Sequence, residues 1–270
     1  DIPFELIVVD DGSTDETPAL LARLSGVRVL KNSQPAGFVH ACNQAASVAR
    51  GAYLLMLGQE TMLQLATMTS ALHFLTDLPD VGAVGGPCLA PDGQVVISQC
   101  FVYDTGRIAW DSAPSKPDRT TKREMSSADF ATRLFLITPR DLWGKVGGLD
   151  DYFDNGLYTE VDYCFKLRHA GKKIIFDPTA AATINAMPSA LTQKHIADER
   201  HQAIFQARHL ELLVTQKPDP KGDRGYTMID AGYSSSRRDA NRPHIELYWH
   251  FNEACNFRCS YCFRAVADYF

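Results

Sequence analysis

The chain has 270 residues, of which 45% are hydrophobic and 22% charged, the proportions of a soluble globular protein with room for one large domain or two small ones. A formal net charge of −5 supplies no basic excess for general nucleic-acid binding. No apolar run approaches the roughly 20 residues of a membrane span.

In chain order, "FELIVVDDGSTDET" reads as a buried strand over residues 4–9 that runs into a turn and then a helix. Ser13 or Thr14 is the expected cap of that helix, which carries Leu20, Leu21 and Leu24. "VRVLKN" is a second strand, "GFVHACNQAASVAR" a helix stopped by Gly51, and "AYLLML" a third strand broken by Gly58. "TMTSALHFLTDLP" is helical and "VGAVGGPCL" a fourth strand. "PDGQ" reads as a hairpin turn and "DSAPSKPDRTTKRE" as a polar loop. "FATRLFLITPRDLWGKVGGLDDYF" gives a strand and a short helix, "TEVDYCFKLRHAG" an amphipathic helix, "KKIIFDP" a strand and "HQAIFQARHLELLVTQ" a last helix. Alternating strands and helices predict an α/β fold, a mixed and mostly parallel sheet with helices on both faces. Ligands bind such sheets beyond the carboxyl ends of strands, where Asp10, Asp11 and Glu60 stand.

Residues 1–216 are therefore expected to form one domain. Residues 217–243, rich in Gly, Pro, Ser and charge, read as a linker, and "HIELYWHF" opens something new from residue 244. Seven cysteines without a signal peptide fit a reducing cytoplasm better than a disulfide framework. Cys42, Cys88, Cys100 and Cys164 sit among apolar residues as small buried hydrophobes. His40, His73, His169, His195, His201 and His209 are unclustered in sequence and read as surface or satisfied histidines. Trp110 and Trp143 read as packing residues.

Five stretches appear in a telling order: "VVDDGSTDET", "AGFVHACNQAASVARGAYLLML", "VGAVGGPCLAPDG", "VGGLDDYF" and "YTEVDYCFKLRHAGKKIIFDP". Together they make residues 4 to about 185 resemble the GT-A fold glycosyltransferases of family 2, in particular the rhamnosyltransferase-like members. The resemblance implies transfer of a sugar from a nucleoside diphosphate donor to an acceptor hydroxyl, with inversion. It assigns Asp10 and Asp11 to the nucleobase end of the donor pocket, with Gly37, Asn43 and Asp150 among the residues around the nucleotide sugar. Glu60 would reach a divalent cation, Mg2+ or Mn2+, or the diphosphate, and Glu160, with Asp162 following it, would supply the general base. Three positions depart from the family pattern. Glu60 and Glu160 replace the usual aspartates, and Asn185 replaces a usual histidine. These departures favour an alternative reading, a degenerate domain that binds a nucleotide sugar or serves as a scaffold.

Cys255, Cys259 and Cys262 form a C-x3-C-x2-C array eight residues from the last residue. Three thiolates from one loop leave one iron of a 4Fe–4S cluster open. A structural zinc would need a fourth ligand, for which His250 is the nearby candidate. The array, with Tyr261 and Phe263 beside its last cysteine, resembles radical S-adenosylmethionine enzymes, which implies a 4Fe–4S cluster and S-adenosylmethionine as cofactors. Such enzymes need a barrel to hold them. The expectation is a piece of a longer protein: a transferase domain lacking its first strand and helix, a linker, and the opening of a radical domain over 244–270.

Overall fold

The computed structural model describes residues 3–58, 61–63, 65–110, 126–154, 156–185 and 199–220, all within one unit, Asp1–Gly222. Glu60, most of the expected linker, and Cys255, Cys259 and Cys262 lie outside the described residues.

β1 (Leu6–Asp11) and β2 (Val27–Asn32) form a parallel ribbon in which Asp10 faces Lys31 and Asp11 faces Asn32. The ladder starts two residues later than the apolar run suggested, because β2 begins opposite Leu6 and leaves Phe4 79% exposed. Between them, α1 (Thr17–Leu21) is shorter than expected and takes no side-chain cap from Ser13 or Thr14. Pro18 in its first turn sets the helix start, while the Ser13 amide donates to Asp10 instead. Leu24 falls beyond the helix, and α1 buries none of its residues.

After α2 (Phe38–Val48) come β3 (Tyr53–Leu57), β4 (Thr61–Leu63), α3 (Leu65–Asp77), β5 (Val81–Gly85) and a β6 (Cys88–Leu89)–β7 (Val95–Ile97) hairpin. The hairpin turns at the expected "PDGQ", where Gly93 adopts φ 82°. A second hairpin joins β8 (Cys100–Val102) to β9 (Ile108–Trp110). β10 (Ser126–Ala128), β11 (Phe135–Pro139), α4 (Arg140–Val146), a 3-10 turn (Asp151–Phe153) and α5 (Tyr158–His169) follow. β12 (Lys173–Phe176), β13 (Ala182–Ile184) and α6 (Glu199–Leu213) complete the described elements.

The central sheet has the order β10-β12-β5-β11-β3. β5 and β12 are parallel, whereas β11 runs antiparallel to both β5 and β3. β11 enters between strands that the alternation of strands and helices would have paired directly and β10 pairs antiparallel with β12, so the central sheet is mixed but mostly antiparallel rather than mostly parallel as expected. Its two faces follow the two-residue side-chain period of strands. Phe135, Ile137 and Ile175 point to one side with Ala71 and Leu75 of α3. Leu134, Leu136, Ile174 and Phe176 point to the other with Val161, Phe165 and Leu167 of α5. Helices thus cover both faces, as the patterning predicted. A smaller sheet, β4-β13-β6-β7, stands beside it.

The opening residues of the expected linker are docked. The Asp219 carboxylate accepts from Arg107 Nε at 2.6 Å and from the Thr105 hydroxyl at 2.8 Å, and the Asp104 amide donates to the Lys217 carbonyl at 3.0 Å. No helix among the described residues is long and apolar enough to cross a membrane.

Candidate active site

Adjacent residues of a strand point to opposite faces, so Asp10 and Asp11 do different work. Asp10 is 5% exposed, and its carboxylate accepts the Ser13 amide at 3.0 Å. Asp11 faces the loop that leads into α2. Its carboxylate accepts from Asn32 Nδ2 at 2.8 Å, the Ala36 amide at 2.9 Å and the Gly37 amide at 2.9 Å. The Asn32 hydrogen bond first, then the two amides, hold the Asp11 carboxyl below its usual range. Gly12, at φ 77°, lets the chain pass Pro35, since a Cβ there would stand 2.8 Å from the Pro35 nitrogen.

The start of α2 is tied to the loop after α4. Gly37 has φ 97°, and a Cβ on it would run into the Asp154 carboxylate. That carboxylate accepts the Val39 amide at 3.1 Å in the first turn of α2, where the helix dipole favours negative charge. One turn on, the Asn43 side chain donates to the Leu149 carbonyl at 2.9 Å and accepts the Leu149 amide at 3.1 Å. Gly147 and Gly148, at φ 84° and 65°, turn this loop back on itself. Asp150 then accepts the Tyr152 amide at 2.8 Å and Arg208 Nη1 of α6 at 2.6 Å.

Glu160 and Asp162 lie on α5, and both have no accessible surface. Two residues on a helix are about 200° apart, so the two carboxylates point to different neighbours. Glu160 accepts from Arg133: its Oε1 takes Nε and the backbone amide, and its Oε2 takes Nη2 at 2.9 Å. Arg133 also donates to the Gly156 carbonyl at 2.7 Å, and its guanidinium lies 4.0 Å from the Phe38 ring centroid. Asp162 meets His209 Nε2 at 3.0 Å and Lys166 Nζ at 2.8 Å. Burial pushes the Asp162 carboxyl up, but the His209 hydrogen bond and the Lys166 charge outweigh it and hold the group below its usual range.

The structure thus gathers Asp11, Gly37, Asn43 and Asp150 around α2 and the 147–154 loop, with Glu160 joined to the same helix through Arg133 and Phe38. Asp10 and Glu160 are not hydrogen-bonded to one another. Asn185 follows β13 and is exposed. Arg133, Asp154, Arg208 and His209 did not stand out in the sequence. The histidines are not all separate: His169 Nε2 and His209 Nδ1 are 3.1 Å apart, a contact hidden by 40 positions of chain. Cys88, Cys100 and Cys164 are buried and Cys42 half-buried, and none of the four is in a disulfide. Burial pushes the thiols of Cys42, Cys88 and Cys164 up to about 12, which leaves them unreactive. Trp143 packs in the core against Tyr163, with ring centroids 4.8 Å apart.

Among the described residues, no group of three or more His, Cys, Asp and Glu side chains could hold a metal ion. Both oxygens of Asp11 already accept N–H donors. These residues alone therefore do not make a cation site.

Residues 1–113 match the family model described as Glycosyl transferase family 2. The chain is similar to the uncharacterized protein y4gI of Sinorhizobium fredii (strain NBRC 101917 / NGR234), at 29% identity over 188 residues, 66% of this chain and 20% of that protein. It is also similar to the O-antigen biosynthesis protein RfbC of Myxococcus xanthus, at 26% identity over 237 residues, 83% of this chain and 18% of that protein. The chain therefore spans about a fifth of the length of these curated relatives. Two solved structures share its architecture. GalNAc-T7 with UDP, GalNAc and Mn2+ aligns with a TM-score of 0.58 at 14% identity, over 75% of this chain and 41% of that one. The mannosyltransferase PcManGT from Pyrobaculum calidifontis, in complex with GDP-Man and Mn2+, aligns with a TM-score of 0.50 at 19% identity, over 80% of this chain and 56% of that one. The mixed sheet covered by helices on both faces is the GT-A fold of these neighbours, and the likeness to glycosyl transferase family 2 covers residues 1–113.

Proposed function

We propose that the domain transfers a sugar from a nucleoside diphosphate to an acceptor hydroxyl with inversion. The observation that carries this reading is the junction of the β1 end, the α2 start and the 147–154 loop through Asp11, Gly37, Asn43 and Asp154. A donor lying over the carboxyl ends of the strands meets Asp10, Asp11 and Gly37 on one side. The loop carrying Asp150 faces the acceptor on the other. Both solved neighbours hold a nucleotide or nucleotide sugar with Mn2+, which supports a divalent cation here, with Glu60 as its protein ligand. Such a cation offsets the charge of the leaving diphosphate.

Inversion needs one base on the acceptor side, and Glu160 and Asp162 are the candidates. Their complete burial in ion pairs with Arg133, His209 and Lys166 favours a second reading, a domain that binds a nucleotide sugar without turning it over. Calorimetric titration with UDP-, GDP- and dTDP-sugars, with and without Mn2+, decides between them when paired with an assay for released nucleoside diphosphate. The transferase reading expects Mn2+-dependent binding of one nucleobase class together with release. Binding without release supports the second reading, and no binding of any donor sinks both.

The cytoplasmic parent of this domain, in the same proposal, is a longer protein that also contains a radical S-adenosylmethionine domain. Support comes from the spacing of Cys255, Cys259 and Cys262. In the longer protein, reduction under anaerobic conditions is expected to cleave S-adenosylmethionine to deoxyadenosine, and Cys259→Ala to abolish that cleavage. Cleavage that survives Cys259→Ala, or a purified protein carrying zinc and no iron, would rule the proposal out.

A further inference from the structure

Helix α6 is bent at one residue. His209 has φ −120° and ψ 22°, outside the helical region, yet its side chain is buried at 4% exposure. The bend drives the ring between two α5 side chains. Its Nε2 stands 3.0 Å from Asp162 Oδ1, and its Nδ1 stands 3.1 Å from His169 Nε2. The imidazoles of His169 and His209 stack with centroids 5.2 Å apart and 26° between planes. The preceding residue, Arg208, donates to Asp150 at 2.6 Å and lies 3.5 Å from Asp162. Its guanidinium also covers the Phe153 ring at 5.0 Å. Two neighbouring residues of α6 thus grip both α5 and the 147–154 loop.

We propose that α6 is a pH-sensitive latch: the His169–His209 pair senses protons, and Arg208 positions the 147–154 loop when the latch is closed. With both rings neutral, His169 Nε2–H donates to His209 Nδ1 and His209 Nε2–H donates to Asp162. One N–H between the rings is compatible with this geometry, because either ring nitrogen can donate to the other. A second proton leaves no acceptor between the rings, and two N–H groups then face each other across 3.1 Å. The other groups around the pair do not rescue it. Lys166 and Arg208 already press on Asp162, and Phe165 and Phe205 wall the His209 ring at 5.3 and 4.7 Å. Glu211 favours a charged His169, while Arg168 opposes it.

The partial covering of its ring first, and then the His209 charge, hold the largely exposed His169 below the usual imidazole range. The released state then binds more protons than the docked state at low pH, so docking is complete above about pH 6.5 and weakens as pH falls below it. The latch goes beyond the transferase reading. It depends on that reading only for calling the gripped loop the acceptor side, and its test uses no substrate.

Amide hydrogen exchange of the full chain between pH 5 and pH 8, corrected for intrinsic rates, tests the latch. Protection of α6 and of the amides of Tyr152 and Phe153 is expected to fall together, by up to about tenfold per pH unit below pH 6.5, as for uptake of one proton. His169 is exposed, so His169→Gln leaves the core intact, and it is expected to remove the pH dependence. Arg208→Gln is expected to lower the protection of Tyr152 and Phe153 at every pH. The proposal is overturned if His169→Gln keeps the wild-type pH dependence, or if acid opens α6 while the loop stays protected.

Discussion

Arg133→Met is expected to lower the free energy of unfolding by about 3–5 kcal/mol, because it strands a carboxylate that has lost its charged partner among the described residues in a closed site. Glu160 has no accessible surface, and Arg133 supplies the guanidinium and amide donors it accepts from. The same change also removes the guanidinium from the Phe38 ring and takes one donor from the Gly156 carbonyl, which keeps the Thr159 hydroxyl at 2.8 Å. Urea unfolding followed by circular dichroism measures the loss. The double variant Arg133→Met/Glu160→Leu should recover most of it, since replacing both members of a buried pair by apolar groups is often neutral. A loss under about 1 kcal/mol for Arg133→Met would mean that Glu160 is reached by water or another donor, and the buried pair would then be wrong. Glu160→Gln separates structure from chemistry. If Glu160 serves only the pair, the variant loses stability and keeps any transfer activity in proportion to folded protein. If it is the base, activity vanishes while most of the protein stays folded.

Phe205→Ala should cost about 3–5 kcal/mol, the range for emptying a fully buried aromatic site. Phe205 is the residue on which α6 docks. It has no exposed surface, and its ring centroid lies 5.3 Å from Tyr158, 4.8 Å from Phe165 and 4.7 Å from His209. Removing the ring opens a void under His209 as well as between helices α5 and α6. Two outcomes are informative. A single cooperative transition at lower urea shows α6 to be part of the global fold. A separate early transition shows it to be a unit that can release while the sheet persists. A change in midpoint too small to correspond to about 1 kcal/mol would contradict the packing described for α6.

The divided roles of α5 show how far local pattern reaches. The helix itself was legible with the glycine that follows it, but it is not the amphipathic helix expected, since Tyr158 to Phe165 are all buried. That Glu160 and Asp162 point to different neighbours also follows from the helical rise and turn, although their closeness in sequence suggested a shared site. What each carboxylate meets did not follow. Arg133 is 27 positions from Glu160, and His209 is 47 from Asp162. Pairings at such separations are set by which faces the helices bring together. Val39 and Asn43 belonged to a recognisable stretch, but their hydrogen bonds with Asp154 and Leu149 cross more than 100 positions of chain.

By itself the sequence determined the order of the helices and of the long strands β1, β2, β3, β5, β11 and β12, though not the short strands β4, β8, β9, β10 and β13, and it determined the acidic end of β1. Each of these is written in neighbours two to four residues apart, where backbone geometry fixes which side chains share a face. Only the tertiary structure decided that β11 enters antiparallel, that Glu160 and Asp162 are sealed in ion pairs, and that His169 and His209 meet. Those outcomes depend on long-range packing and on the removal of water from charged groups, which residue spacing does not encode.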